Sequence, residues 1–173
     1  RGFKFMDQGS YWKILKGIMM KIGWLALIAA LLLTGAAGIK LYAHCQIPCG
    51  IFDDPARFTL LEEHVTTIEK SVNEITKLSS AENPNWNQIT RWVKNKDHHA
   101  DEFSHIVTYY FLAQRIKPVD PENRDKHAKY LNELVWLHEM VVYSMKAKQT
   151  IDLGNVEKLR SLIKSFKASY LGK

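Results

Sequence analysis

Apolar side chains recur at steps of three and four along four stretches of this chain. In the first, Phe58, Leu61, Val65, Ile68, Val72, Ile75 and Leu78 form one stripe on a long helix. Asp54 and Pro55 mark its start, a capping acid followed by a proline in the first turn. "SSAENPN" ends it. A second stretch runs from about Trp86 to Ile116, with Val93, Ala100, Phe103, Val107, Tyr110, Phe111 and Ile116 as its buried face, and "KPVDPEN" stops it. A third, about Arg124 to Lys148, carries Leu131, Leu134, Val135, His138, Val141, Val142 and Met145. A shorter fourth places Val156, Leu159, Leu162, Ile163 and Phe166 together. No alternating strand pattern, internal repeat or low-complexity tract occurs. Four amphipathic helices joined by short loops predict an all-α, antiparallel four-helix bundle over 54–173.

The N-terminal part reads differently. Ile22 to Ile39, "IGWLALIAALLLTGAAGI", has no charge and has a length shared by signal-peptide cores and short membrane helices. Lys21 precedes it, Gly and Thr cluster toward its end, and Ala43 follows. Residues 1–43 are therefore expected to be a leader, a signal peptide cleaved after Ala43, with an uncleaved membrane anchor as the alternative. A start at Met19 or Met20 would give a signal peptide of ordinary length. The predicted product is exported, and membrane-anchored if the leader stays. A lipoprotein signal would place a small residue where His44 stands, and is set aside. Charge supports the division. Six of the 24 Lys and Arg and only one of the 18 Asp and Glu precede His44, leaving the remainder near +1. A basic nucleic-acid footprint on the bundle is excluded on that balance.

Between leader and bundle lies "HCQIPCGIFD", residues 44–53, which holds both cysteines. Pro48 and Gly50 keep it from being helix and allow a tight reversal. Cleavage after Ala43 would give His44 a free α-amine. That amine, the His44 imidazole, the Cys45 amide nitrogen and thiolate, and the Cys49 thiolate could then meet one ion. Mixed nitrogen and sulfur donors in a plane suit Ni(II) or Cu(II) better than tetrahedral Zn(II). Such donors lower the potential of a Ni(III)/Ni(II) couple, which points to one-electron redox chemistry. The bland alternative is a Cys45–Cys49 disulfide in an exported chain. No second Cys pair completes a zinc site, and C-x-x-C-H haem attachment is absent.

"HCQIPCGIFD" resembles the nickel hook of nickel-containing superoxide dismutases, whose mature chains begin H-C-x-x-P-C-G-x-Y. "FTLLEEHVTTIEKSVNEI", "RWVKNKDHHADE", "YYFLAQRIKP" and "VVYSMKAKQT" are similar to that family's helices, particularly those of cyanobacterial type. The resemblance implies a nickel ion bound by His44 (amine and imidazole), Cys45 (amide and thiolate) and Cys49 (thiolate), with Pro48 and Gly50 shaping the hook. It implies disproportionation of superoxide to oxygen and hydrogen peroxide, and assembly into a homohexamer. Phe52 departs from the family's Tyr and Gln46 from its commoner acid. Thr59, Glu62 and Glu63 compete for the role of acidic partner to the axial imidazole.

The remaining polar residues are assigned structural roles. Glu102 and His105 form one Glu-x-x-His unit, short of the two units plus two glutamates that a di-iron bundle needs, so a solvated face is expected. His138 is expected in the core or an interface, and His64 and His127 at the surface. Tyr109, Tyr110, Phe111, Trp86, Trp92 and Trp136 exceed what one small core needs, so some should line subunit contacts. Two other functions compete: a helical interaction domain closed by the Cys45–Cys49 disulfide, and a nickel-binding protein that has lost turnover.

Overall fold

The structure, a computed structural model, describes residues 8–36 and 48–172. The chain divides into two units, Arg1–His44 and Cys45–Lys173. In the first, helix α1 (Gln8–Ala36) exposes Met19, Met20, Ile22, Trp24 and Leu25. Among the described residues no helix is long and apolar enough to cross a membrane. The uncharged run to Ile39 continues beyond them.

Among its described residues the second unit consists of helices and connecting loops. Helix α2 (Asp54–Ser79), helix α3 (Trp86–His105), a π-helix (Ile106–Arg115), helix α4 (Arg124–Gln149) and helix α5 (Leu153–Leu171) follow in order. Side-chain contacts fix the directions. Asn95 bonds Ser71 and Ser104 bonds Ser144. Ser169 bonds Glu133, and Lys167 bonds Glu62. Second contacts, His64–His99, Lys96–Ala147, Glu139–Lys158 and Glu69–Arg160, run in the opposite sense along each pair, so neighbouring helices are antiparallel and the bundle is up-down-up-down. Asx caps start the helices. Asp53, Asn85, Asn123 and Asp152 each accept a backbone N–H from the first turn. The expected cap, Asp54, is instead the first helical residue, which frees its carboxylate.

Three predicted stripes survive. Phe58, Leu61, Val65, Ile68, Val72 and Ile75 are buried on α2, and Val156, Leu159, Leu162, Ile163 and Phe166 on α5. Along the second stretch Ala100, Phe103, Val107, Tyr110, Phe111 and Ile116 are buried, while Val93 is half-buried. The α4 stripe is corrected. Its buried face is Glu133, Leu137, Met140, Ser144 and Ala147, rotated from the predicted one. Leu131, Val135 and Met145 are 46%, 56% and 52% exposed, and His138 is exposed rather than core. The cause is small-residue packing. Ser144 donates to the Ala100 carbonyl at 2.7 Å, so α4 meets α3 through Ala and Ser.

Lys96 is a buried charge that periodicity could not reveal. Its ammonium donates to the carbonyls of Ala147 at 2.6 Å and Lys148 at 2.5 Å. It thereby closes the C-terminal end of α4, where orphan carbonyls and the helix dipole favour a cation.

Candidate metal centre

The chain enters the bundle through a bend at Pro48–Gly50. Gly50 has φ +77°, in the left-handed region where a side chain would be strained. Cys49 is exposed beside it. His44, Cys45 and Gln46 lie outside the described residues. Among the described residues no group of three or more His, Cys, Asp or Glu side chains is arranged to hold a metal. The Cys49 donor nonetheless fits the expected ion: a soft thiolate source on a reversing, solvent-facing loop, with further donors in the sequence just before it.

What holds this loop to the bundle is a cluster around Asp54. Its carboxylate accepts from Arg115 Nε at 2.9 Å and Nη2 at 2.7 Å. It also accepts from Tyr110 Oη at 2.7 Å and Tyr170 Oη at 3.0 Å. Phe52 rests on this cluster. The Arg115 guanidinium lies 4.3 Å from its ring centroid, and Tyr110 meets it edge-on at 5.8 Å. Arg57 in turn covers the Tyr110 ring at 5.0 Å. Beneath, Phe58, Phe111, Phe166 and Tyr170 pack with centroids 5.0–6.0 Å apart. The loop is thus clamped by one carboxylate between three chain segments and floored by aromatic rings.

The π-helix makes this possible. Tyr110 and Arg115 are five residues apart, and α winding would set them about 140° apart around the axis. Winding with i→i+5 bonds, as in Ile116 N–H to the Phe111 carbonyl at 2.9 Å, turns both toward Asp54.

The electrostatics follow. Burial pushes the Asp54 carboxyl up, but the hydrogen bonds from Arg115, Tyr110 and Tyr170 outweigh it and hold the group below the ordinary carboxylate value. Burial and the Asp54 charge push both Tyr110 and Tyr170 up to about 12. Both phenols therefore keep their protons at neutral pH. Phe52 offers no hydroxyl, and the nearest phenol, Tyr110, is committed to Asp54.

The candidate acids for the axial imidazole are partly occupied. Glu62 pairs with Lys167 at 2.9 Å, and the Thr59 hydroxyl donates to the Pro55 carbonyl. Glu63 stays exposed. Glu102 and His105 are exposed, and His105 stacks on Tyr109 at 4.4 Å. His64 and His127 are half-buried rather than on the surface, and His64 meets His99 across the α2–α3 seam. Of the aromatics, Tyr110 and Phe111 are core, whereas Trp86 and Tyr109 are 68% and 50% exposed. Sequence inspection missed Arg115 and Tyr170. An Arg and a Tyr far from the hook give no local signal of a shared partner.

No curated protein sequence and no solved structure matches the chain. A family model described as nickel-containing superoxide dismutase matches residues 40–173. That match takes in the hook sequence and the whole bundle, so the chain belongs to the nickel-containing superoxide dismutase family.

Proposed function

We propose that this superoxide dismutase holds its nickel through His44, Cys45 and Cys49, on a hook whose exit is fixed by Asp54. The observation that carries it is that the family match begins before His44 and runs through the bundle. Nickel bound there supplies the one-electron couple that superoxide both reduces and reoxidises. The chain's part is to bind and position. Pro48 and the left-handed Gly50 shape the bend that carries Cys49. Phe52, held between Arg115 and Tyr110, sets where that turn leaves the bundle. At the hook's base Arg57 and Arg115 are matched by the carboxylates of Asp53 and Asp54. Tyr110 and Tyr170 hold their protons on Asp54, so the protons of hydrogen peroxide come from water at the exposed loop.

The hook is complete only with a free amine at His44, which supports removal of the leader at Ala43 and export of the product. The exposed apolar side chains of α1 are in keeping with a leader. Assembly of the mature chain with copies of itself is supported by α4. Leu131, Val135 and Met145 form an apolar stripe its own core leaves open.

Mass spectrometry of the chain isolated from its source tests the centre. It should begin at His44 and carry about one nickel. Cys49→Ser should abolish both nickel retention and superoxide removal while leaving the helical circular dichroism unchanged. A native product with a blocked His44, or full activity in Cys49→Ser, would overturn the assignment of ligands.

A further inference from the structure

Away from the hook, α2 and α3 bring two imidazoles together. His64 Nδ1 lies 2.8 Å from His99 Nδ1, with ring centroids 5.1 Å apart. His98 packs edge-on against His99 at 5.3 Å. Both partners are half-buried, so the pair faces solvent on one side. The rings sit on separate helices locked by the Phe58–Phe103 core and by the Asn95–Ser71 bond at 3.0 Å. Their approach is set by the bundle rather than by loop motion.

The spacing is informative. Two imidazole nitrogens each about 2.0–2.1 Å from one ion, at right angles, sit roughly 2.9 Å apart; on a tetrahedral ion they sit roughly 3.4 Å apart. We propose that His64 and His99 form a second metal site, a two-nitrogen edge for a square-planar or octahedral divalent ion, Ni(II) or Cu(II), with water in the remaining positions. Imidazole suits both ions, and their preferred geometries contain right-angled pairs. Burial first, then mutual repulsion with the neighbouring histidines, lowers the affinity of both rings for an extra proton, so they stay neutral at pH 7. Glu63 and Glu102 lie close enough to bias both rings toward positive charge, and so favour a cation. Without metal, one Nδ1–H donates to the other Nδ1. On binding, that proton leaves Nδ1 and the ring takes one up at Nε2 from water, so neutral protein releases no net proton. The site is independent of the hook ligands.

The test uses the tag-free mature chain, beginning at His44, with its hook already loaded with nickel. Titration with Ni(II), read by equilibrium dialysis and elemental analysis, should show one further equivalent per chain. His64→Ala and His99→Ala should each weaken it about tenfold or more, and His105→Ala should leave it unchanged. In a chain carrying Cys45→Ser and Cys49→Ser, bound Cu(II) should show electron-paramagnetic coupling to two imidazole nitrogens. Should either alanine variant unfold, imidazole ¹⁵N spectra of the unmutated chain titrated with further Ni(II) serve instead, and both Nδ1 signals should shift or broaden together. No further equivalent, undiminished binding in both variants, or Nδ1 signals indifferent to metal would leave a hydrogen-bonded pair only and overturn the site.

Discussion

Replacing Asp54 by alanine separates the clamp from the hook it supports. The carboxylate takes four hydrogen bonds, two from one guanidinium. Bonds to a charged acceptor are worth about 1.5–3 kcal/mol each in isolation, but bonds sharing one acceptor do not add. The Asp54 and Arg115 side chains are 17% and 27% exposed, so water resolvates part of what is left. The loss should lie between that of an exposed pair, below about 1 kcal/mol, and that of a broken buried pair, about 3–5 kcal/mol. About 3 kcal/mol is expected, a fall in Tm of roughly 10 °C for a domain of this size.

Calorimetry of Asp54→Ala, Arg115→Ala and the double variant provides the assay. The double variant should lose little more than Asp54→Ala alone, because the single change already strands the guanidinium. Nickel should also leave Asp54→Ala several times faster, since Phe52 then rests on an unanchored Arg115. A Tm within about 2 °C of the parent, or strictly additive losses, would refute the clamp. Acid gives the same answer without mutation. The folded carboxyl is depressed, so its contribution is complete above the unfolded value near 4 and disappears as pH falls through the lower folded value. Stability should therefore drop below pH 4 in the parent and less steeply in Asp54→Ala.

Other outcomes follow from single residues. Tyr110 and Tyr170 are raised to about 12, so their contribution is complete below pH 10 and lost between about 10 and 12; ultraviolet titration should show two late phenols, and Phe at either position should remove one. Lys96→Met should destabilise the bundle by about 2–3 kcal/mol, because two α4 carbonyls lose a buried charged donor, and chemical denaturation will measure it. Self-assembly through α4, as proposed, predicts that Val135→Glu with Met145→Glu gives monomers in sedimentation velocity without lowering the Tm in calorimetry, since neither side chain belongs to the core.

The bundle was legible because three of its four apolar stripes are strict. On α2 and α5 the periodic residues are the buried ones, and packing follows pattern. On α4 two apolar sets compete. Of the richer one, Leu134 and Val141 still pack against the core, while Leu131, Val135 and Met145 are left outside because Ala100, Ser144 and Ala147 allow a close approach on the other side. Helical period identifies a face but cannot say whether the monomer or a neighbouring subunit covers it. The family was legible for the opposite reason: its hook motif is one short continuous stretch, residues 44–53, and the family match takes it in.

The support beneath the hook was not legible, and the reason is topological. Asp54, Tyr110, Arg115 and Tyr170 come from three separate segments, and only the π winding between Ile106 and Arg115 turns two of them to one carboxylate. A sequence assigns Asp54 to helix capping because the neighbouring proline favours that role. In the folded chain Asp53 caps, and Asp54 is released to bind. That one-residue shift converts a local helix signal into a long-range contact beneath Phe52, three residues after Cys49. Removing the cap, by Asp53→Ala, should therefore weaken helix α2 by about 1 kcal/mol yet disturb nickel retention far less than Asp54→Ala.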